Sequence, residues 1–124
     1  MTHTDHNSID SRLPLRPADF QILMVLAEGP MHAYGISKAT ENRGPGGVRL
    51  EIGSLYRTLN RLRSEGLLRE SDDTASGPQN QTRRGYAITP LGRDVARAEA
   101  TRLEAVVAMA RDCSFLPDTP GTES

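Results

Sequence analysis

Apolar residues first recur at helical spacing at Phe20, Leu23, Met24 and Ala27, with Asp19 near the start and Gly29-Pro30 as a stop. This pattern predicts a first helix over residues 18–28. Residues 32–42 form a short second helix with Ala33, Ile36 and Ala39 facing in. The stretch 43–47 (RGPGG) is a loop. Residues 48–52 (VRLEI) alternate apolar and charged, which predicts a short strand. Gly53 or Ser54 then opens a third helix, in which Leu55, Leu59 and Leu62 stand at i, i+4 and i+7 and define a buried face. At helical rotation Ser54, Arg57, Arg61 and Ser64 fall on the opposite side, with Asn60 nearby. Gly66 terminates this helix.

Beyond it the period changes. Residues 67–71 and 83–89 (RRGYAIT) are two candidate strands, joined by a polar segment (DDTASGPQNQT) that reads as a hairpin loop. Thr89 before Pro90 is a helix N-cap with proline at the first helical position. A long helix is expected over 90–112, rich in the helix-favouring alanine and arginine. Residues 1–13 are polar and aperiodic, and 113–124 carry two prolines and a glycine, so both ends are expected to be disordered tails. The expected fold is mainly α with a small β-hairpin: a winged helix-turn-helix over 14–89, followed by a long C-terminal helix.

Composition narrows the function. The 124 residues suffice for one modest core. No tryptophan is present and aromatics are 4%, so aliphatic side chains must build it. The longest apolar run, residues 22–27, is far below the roughly 20 residues of a membrane span. The N-terminus has no apolar core of a secretory signal, and the lone Cys113 has no internal disulfide partner. A cytoplasmic protein without membrane contact is expected. Net charge is only −1, but from Ser54 to Arg63 there are three arginines and no acid. Local charge governs docking more than the total does.

The third helix combines slender residues at its start with arginine and asparagine along its outer face. A helix meant for the major groove needs small residues for close approach and long polar ones to reach base edges. Arg83 and Arg84 open the second hairpin strand beside Gln79, Asn80 and Gln81, as in a wing that touches a neighbouring groove or backbone. The candidate DNA contacts are Ser54, Tyr56, Arg57, Asn60 and Arg61 on the third helix, Tyr34, Ser37 and Lys38 on the second, and Arg83 and Arg84 in the wing. Tyr34 and Tyr56 have two readings, packing between helices or offering a hydroxyl to a phosphate oxygen.

Three blocks resemble the PadR family of bacterial transcriptional regulators. They are LRPADFQILMVLAEGPMHAYGISKATE from Leu15, VRLEIGSLYRTLNRLRSEGLL from Val48 and RRGYAITPLGR from Arg83. The blocks run from Leu15 to Arg93, and the resemblance covers about residues 13–111. Ala33 stands where the family has glycine in its His-Gly-Tyr lead-in to the second helix, and the single last helix resembles the family's shorter-tailed branch. The resemblance implies a homodimeric repressor of a pseudo-palindromic operator, with the last helix as the dimerisation helix. The residues agree: Ala96, Ala100, Leu103, Val106, Val107 and Ala110 make an apolar face too large for so short a helix to leave in water. Packing onto the chain's own first helix is the alternative use of that face. A small-molecule effector between body and last helix is a further expectation.

Other residues take plainer roles. His3 and His6 lie in the tail, His32 caps or packs at a turn, and Cys113 is expected to be inert. Residues 44–47 lack the Lys-Ser/Thr of a phosphate-cradling loop. No catalytic set appears, so neither an enzyme nor a cofactor or metal site is expected. The alternative function is a winged-helix protein-interaction module that does not bind DNA.

Overall fold

In the computed structural model, residues 9–42, 49–72 and 85–117 are described. Helix α1 (Pro17–Leu26) starts at a proline, which needs no N–H partner in the first turn, after an extended Arg16. It buries Asp19, Ile22, Leu23, Val25 and Leu26. The expected inward set was different: Ala27 is exposed, and Phe20 and Met24 are only half-buried. The reason is that α1 is flanked on several sides, so its burial is not a single stripe.

A two-residue strand β1 (Met31–His32) follows, too short for its alternation to show in the sequence. It leads directly into α2 (Ala33–Glu41), which buries Ala33, Ile36 and Thr40 while Ala39 is half-buried. The strand expected over 48–52 is absent at its described residues. Residues 49–51 have no sheet partner, Leu50 packs against the core, and Ile52 already begins the next helix. Alternation alone does not make a strand, because a strand exists only where its backbone pairs with a neighbour.

Helix α3 (Ile52–Ser64) buries Leu55, Leu59 and Leu62, as expected. It ends in a glycine-dependent turn. Gly66 takes φ +83°, its N–H donates to the Arg63 carbonyl, and the Leu67 N–H donates to the Leu62 carbonyl. This double bond pattern satisfies two otherwise orphaned helix carbonyls.

Strands β2 (Leu68–Ser71) and β3 (Gly85–Ile88) pair antiparallel, Leu68 opposite Ile88 and Ser71 opposite Gly85. β1 adds on the other side, Met31 opposite Tyr86, so β3 is the centre of a three-stranded sheet and is buried throughout. Helix α4 (Pro90–Asp112) begins where the Thr89-Pro90 signal places it, with the Thr89 side chain accepting from the Gly92 N–H. One core joins α1, α2, α3, the sheet and Val95 of α4.

The expected tails are partly structured. Residues 9–13 form a helical turn whose Ile9 and Leu13 pack against the core, because these are the apolar residues of the segment. After α4, Ser114 takes φ 67° and the Phe115 N–H donates to the Ala110 carbonyl, closing a capped turn. His3, His6 and residues 118–124 lie outside the described residues. Among the described residues no helix is long and apolar enough to cross a membrane.

Candidate nucleic-acid interface

The three buried leucines of α3 fix its rotation, so the rest of the helix is presented outward. Tyr56, Arg57 and Asn60 are exposed and Ser54 is half-buried. Tyr56 keeps 47% of its surface, so it is not simply an interhelical packing residue. Arg57 Nη2 donates to Ser54 Oγ at 3.2 Å, which lays the guanidinium along the start of the helix. A Cβ at Gly53 would meet no atom within 4 Å, so the backbone there is open to close approach.

Helix α2 contributes the flank. Tyr34 is 62% exposed, and Lys38 Nζ sits 5.7 Å from its ring centroid, within cation–π range. Lys38 also lies 3.9 Å from Glu41, which Arg49 approaches at 3.7 Å. Ser37 is half-buried, and its carbonyl accepts from Thr40 Oγ1. Tyr34, Ser37 and Lys38 line one groove with Glu41, Arg49 and Glu51, between α2 and the start of α3. Thus the structure gathers the α2 and α3 candidates on adjoining surfaces.

Arg61 departs from the helical projection. Its Nη2 donates to Asp19 Oδ1 at 2.8 Å, and Nη1 lies 3.5 Å from Glu65. Asp19 is 4% exposed, in the first turn of α1. The hydrogen bond to Asp19 is the main reason the guanidinium pKa is raised, offset in part by burial. Arg61 therefore serves as a tie between α1 and α3. The projection located its Cβ, but a long side chain bends to where a buried carboxylate needs it.

Arg83 and Arg84, with Gln79, Asn80 and Gln81, lie outside the described residues. The Ser71–Gly85 pair is the last described pair of β2 and β3. Arg16, which the local pattern did not single out, faces the same cleft as Ser54, Arg57, Thr58 and Arg61. Only the tertiary fold, in which Asp19 of α1 is tied to Arg61 of α3, brings it there, so no short-range signal in the sequence marks it.

Along α4, full burial stops at Glu99. Ala96 packs against the chain's own core, so the self-packing use of the apolar face holds there. Ala100 is exposed, and Leu103, Val107 and Ala110 are half-buried. Val106 keeps 40% exposure and the neighbouring Met109 57%. Glu99, 2% exposed, accepts from Arg102 Nε at 2.9 Å and Nη2 at 2.8 Å. That bidentate contact, helped by a hydrogen bond from the Leu15 backbone and opposed by burial, holds its carboxyl below the ordinary pKa.

Comparison with known proteins gives a consistent picture. The model of the PadR-like family of transcriptional regulators matches residues 22–98. An uncharacterized 37.1 kDa protein of a Streptomyces fradiae transposon is 39% identical over 83 residues. Those residues are 67% of this chain but only 22% of that protein. A PadR family transcription regulator from Clostridium difficile superposes with a TM-score of 0.65 at 20% identity, over 77% of this chain and 95% of that one. A transcriptional regulator from Clostridium thermocellum gives 0.63 at 24% identity, over 77% and 87%. Bacillus subtilis PadR, solved in complex with operator DNA, gives 0.58 at 20% identity, over 68% and 47%. At these identities the structural likeness is one of fold.

Proposed function

The chain belongs to the PadR-like family of transcriptional regulators, and from that premise we propose that it binds operator DNA as a sequence-specific homodimeric repressor. The observation that carries this reading is the outward polar face of α3. Leu55, Leu59 and Leu62 hold the helix, while Ser54, Tyr56, Arg57 and Asn60 stand free to meet a major groove. Tyr34, Ser37 and Lys38 then lie beside the groove as backbone contacts, and Arg83 and Arg84 serve as wing contacts. The operator complex of the Bacillus subtilis relative supports this use of the fold. A regulator of this kind needs no catalytic set and acts in the cytoplasm, where its DNA is.

The dimer contact is assigned to the distal half of α4, from Ala100 through Leu103, Val106, Val107 and Ala110. Two heads related by a two-fold axis read a pseudo-palindromic operator. A small-molecule effector lodged between the body and α4 would favour one dimer geometry over another. The test is selection of bound sequences from a random duplex pool. Recovery of one inverted repeat supports the reading. Failure to retain any duplex at low salt would replace it with a protein-interaction module.

A further inference from the structure

Arg16, Ser54, Arg57, Thr58 and Arg61 line a cleft between the start of α1 and the side of α3. Its lining carries three guanidinium groups and two hydroxyls and no carboxylate. Arg61 is already offset by Asp19 and Glu65 just behind it. Among the described residues Arg57 hydrogen-bonds the Ser54 hydroxyl, and neither it nor Arg16 forms an ion pair there. Two cations from separate elements, neither paired with an acid among the described residues, thus face one concave space. Like charges gathered in this way repel unless an anion lies between them.

The chemistry of the lining selects that anion. Arginine presents paired N–H donors that match the two non-bridging oxygens of a phosphodiester, and hydroxyls add single hydrogen bonds. The cleft adjoins the exposed face of α3, sharing Ser54 and Arg57 with it, so a backbone phosphate beside the bases read by α3 falls within its reach. We infer that Arg16 and Thr58 complete, with Arg57 and Ser54, a clamp for one phosphodiester of the DNA backbone, docking the start of α1 on the duplex. This rests on the DNA-binding reading above. Arg16 fixes position and carries no sequence information, because every phosphate is alike.

The experiment compares the parent with Arg16→Gln, Arg16→Lys and Thr58→Val on the selected operator and on a mixed-sequence duplex, across a salt series. Losing one phosphate contact makes the slope of log affinity against log salt shallower by about 0.9. Arg16→Gln is expected to show that change with the same fold-loss on both duplexes, and Arg16→Lys to restore the slope. A methylphosphonate scan of the operator should find one position whose neutralisation weakens the parent most and weakens Arg16→Gln and Thr58→Val less. Arg16 is exposed, so its variants should melt like the parent. If the parent binds and Arg16→Gln keeps its slope, or loses affinity on the operator alone, the clamp is overturned while the DNA-binding reading stands. If the parent binds no duplex, both are overturned.

Discussion

Asp19 and Arg61 show how a single buried group redirects a surface residue. A carboxylate with 4% exposure needs a cation and a hydrogen bond to offset its burial, and Arg61 supplies both. Arg61→Ala is therefore expected to lower stability by about 1–3 kcal/mol, the usual cost of orphaning such a group. Arg57, on the free face, should behave oppositely. Arg57→Ala should leave the urea midpoint unchanged and weaken operator binding by roughly 1–3 kcal/mol. Equal urea midpoints for Arg61→Ala and the parent would refute the structural role. Glu99 predicts a pH effect. Its carboxyl pKa lies below the unfolded value near 4.5, chiefly because of Arg102. The unfolded chain therefore takes up a proton first as pH falls. The stabilisation is complete above 4.5 and is lost as pH drops through the native pKa. Urea midpoints should fall with acid less steeply in Glu99→Gln than in the parent.

At the scale of elements, the junction of α3, β3 and α4 is locked by small groups. Thr89 Oγ1 donates to the Gly66 carbonyl at 2.6 Å and accepts from the Gly92 N–H at 3.0 Å. The Thr89 N–H donates to the Leu67 carbonyl at 3.1 Å. At Gly92 α4 passes close to its neighbours: a methyl there would collide with the Leu67 carbonyl oxygen and crowd Ile88 Cγ1. Backbone cannot yield as a flexible side chain can. Gly92→Ala, though helix-favouring in isolation, should destabilise by about 1–3 kcal/mol, and Thr89→Ala by about 1 kcal/mol through loss of the cap. Calorimetric melting checks both. A Gly92→Ala protein that melts at or above the parent would show that α4 is not seated this tightly.

For the whole molecule the same junction has a mechanical consequence. Hydrogen bonds tie the end of α3, the central strand and the start of α4 together, so under the proposed dimer a change at the distal α4 contact is expected to move the DNA-reading helices. Leu103→Asp with Val106→Asp would put unpaired charges into the proposed contact. The expected product is a monomer by sedimentation with retained helicity, and an already monomeric parent would refute the assignment. Rigid heads should read half-sites about one helical turn apart, roughly 34–36 Å. Inserting half a turn of DNA between the half-sites should then abolish dimer affinity. Unchanged affinity would mean that the heads are not rigidly spaced and that an effector has no geometry to switch.

The residue order by itself determined the elements whose signals are local. The leucine spacing of α3, the Gly66 stop and the Thr89-Pro90 start of α4 each depend on atoms within a turn or two of the chain. It also carried the outward face of α3, because a buried stripe dictates its opposite. Tertiary structure alone decided the rest. Residues 49–52 joined no sheet because strand formation needs a partner that alternation cannot supply. The pair Met31–His32 became a strand because β3 offered an edge. Arg61 was drawn to a carboxylate 42 positions away and Arg16 was brought beside Arg57. Long side chains and distant partners are related through packing in space, and no period along the chain encodes that.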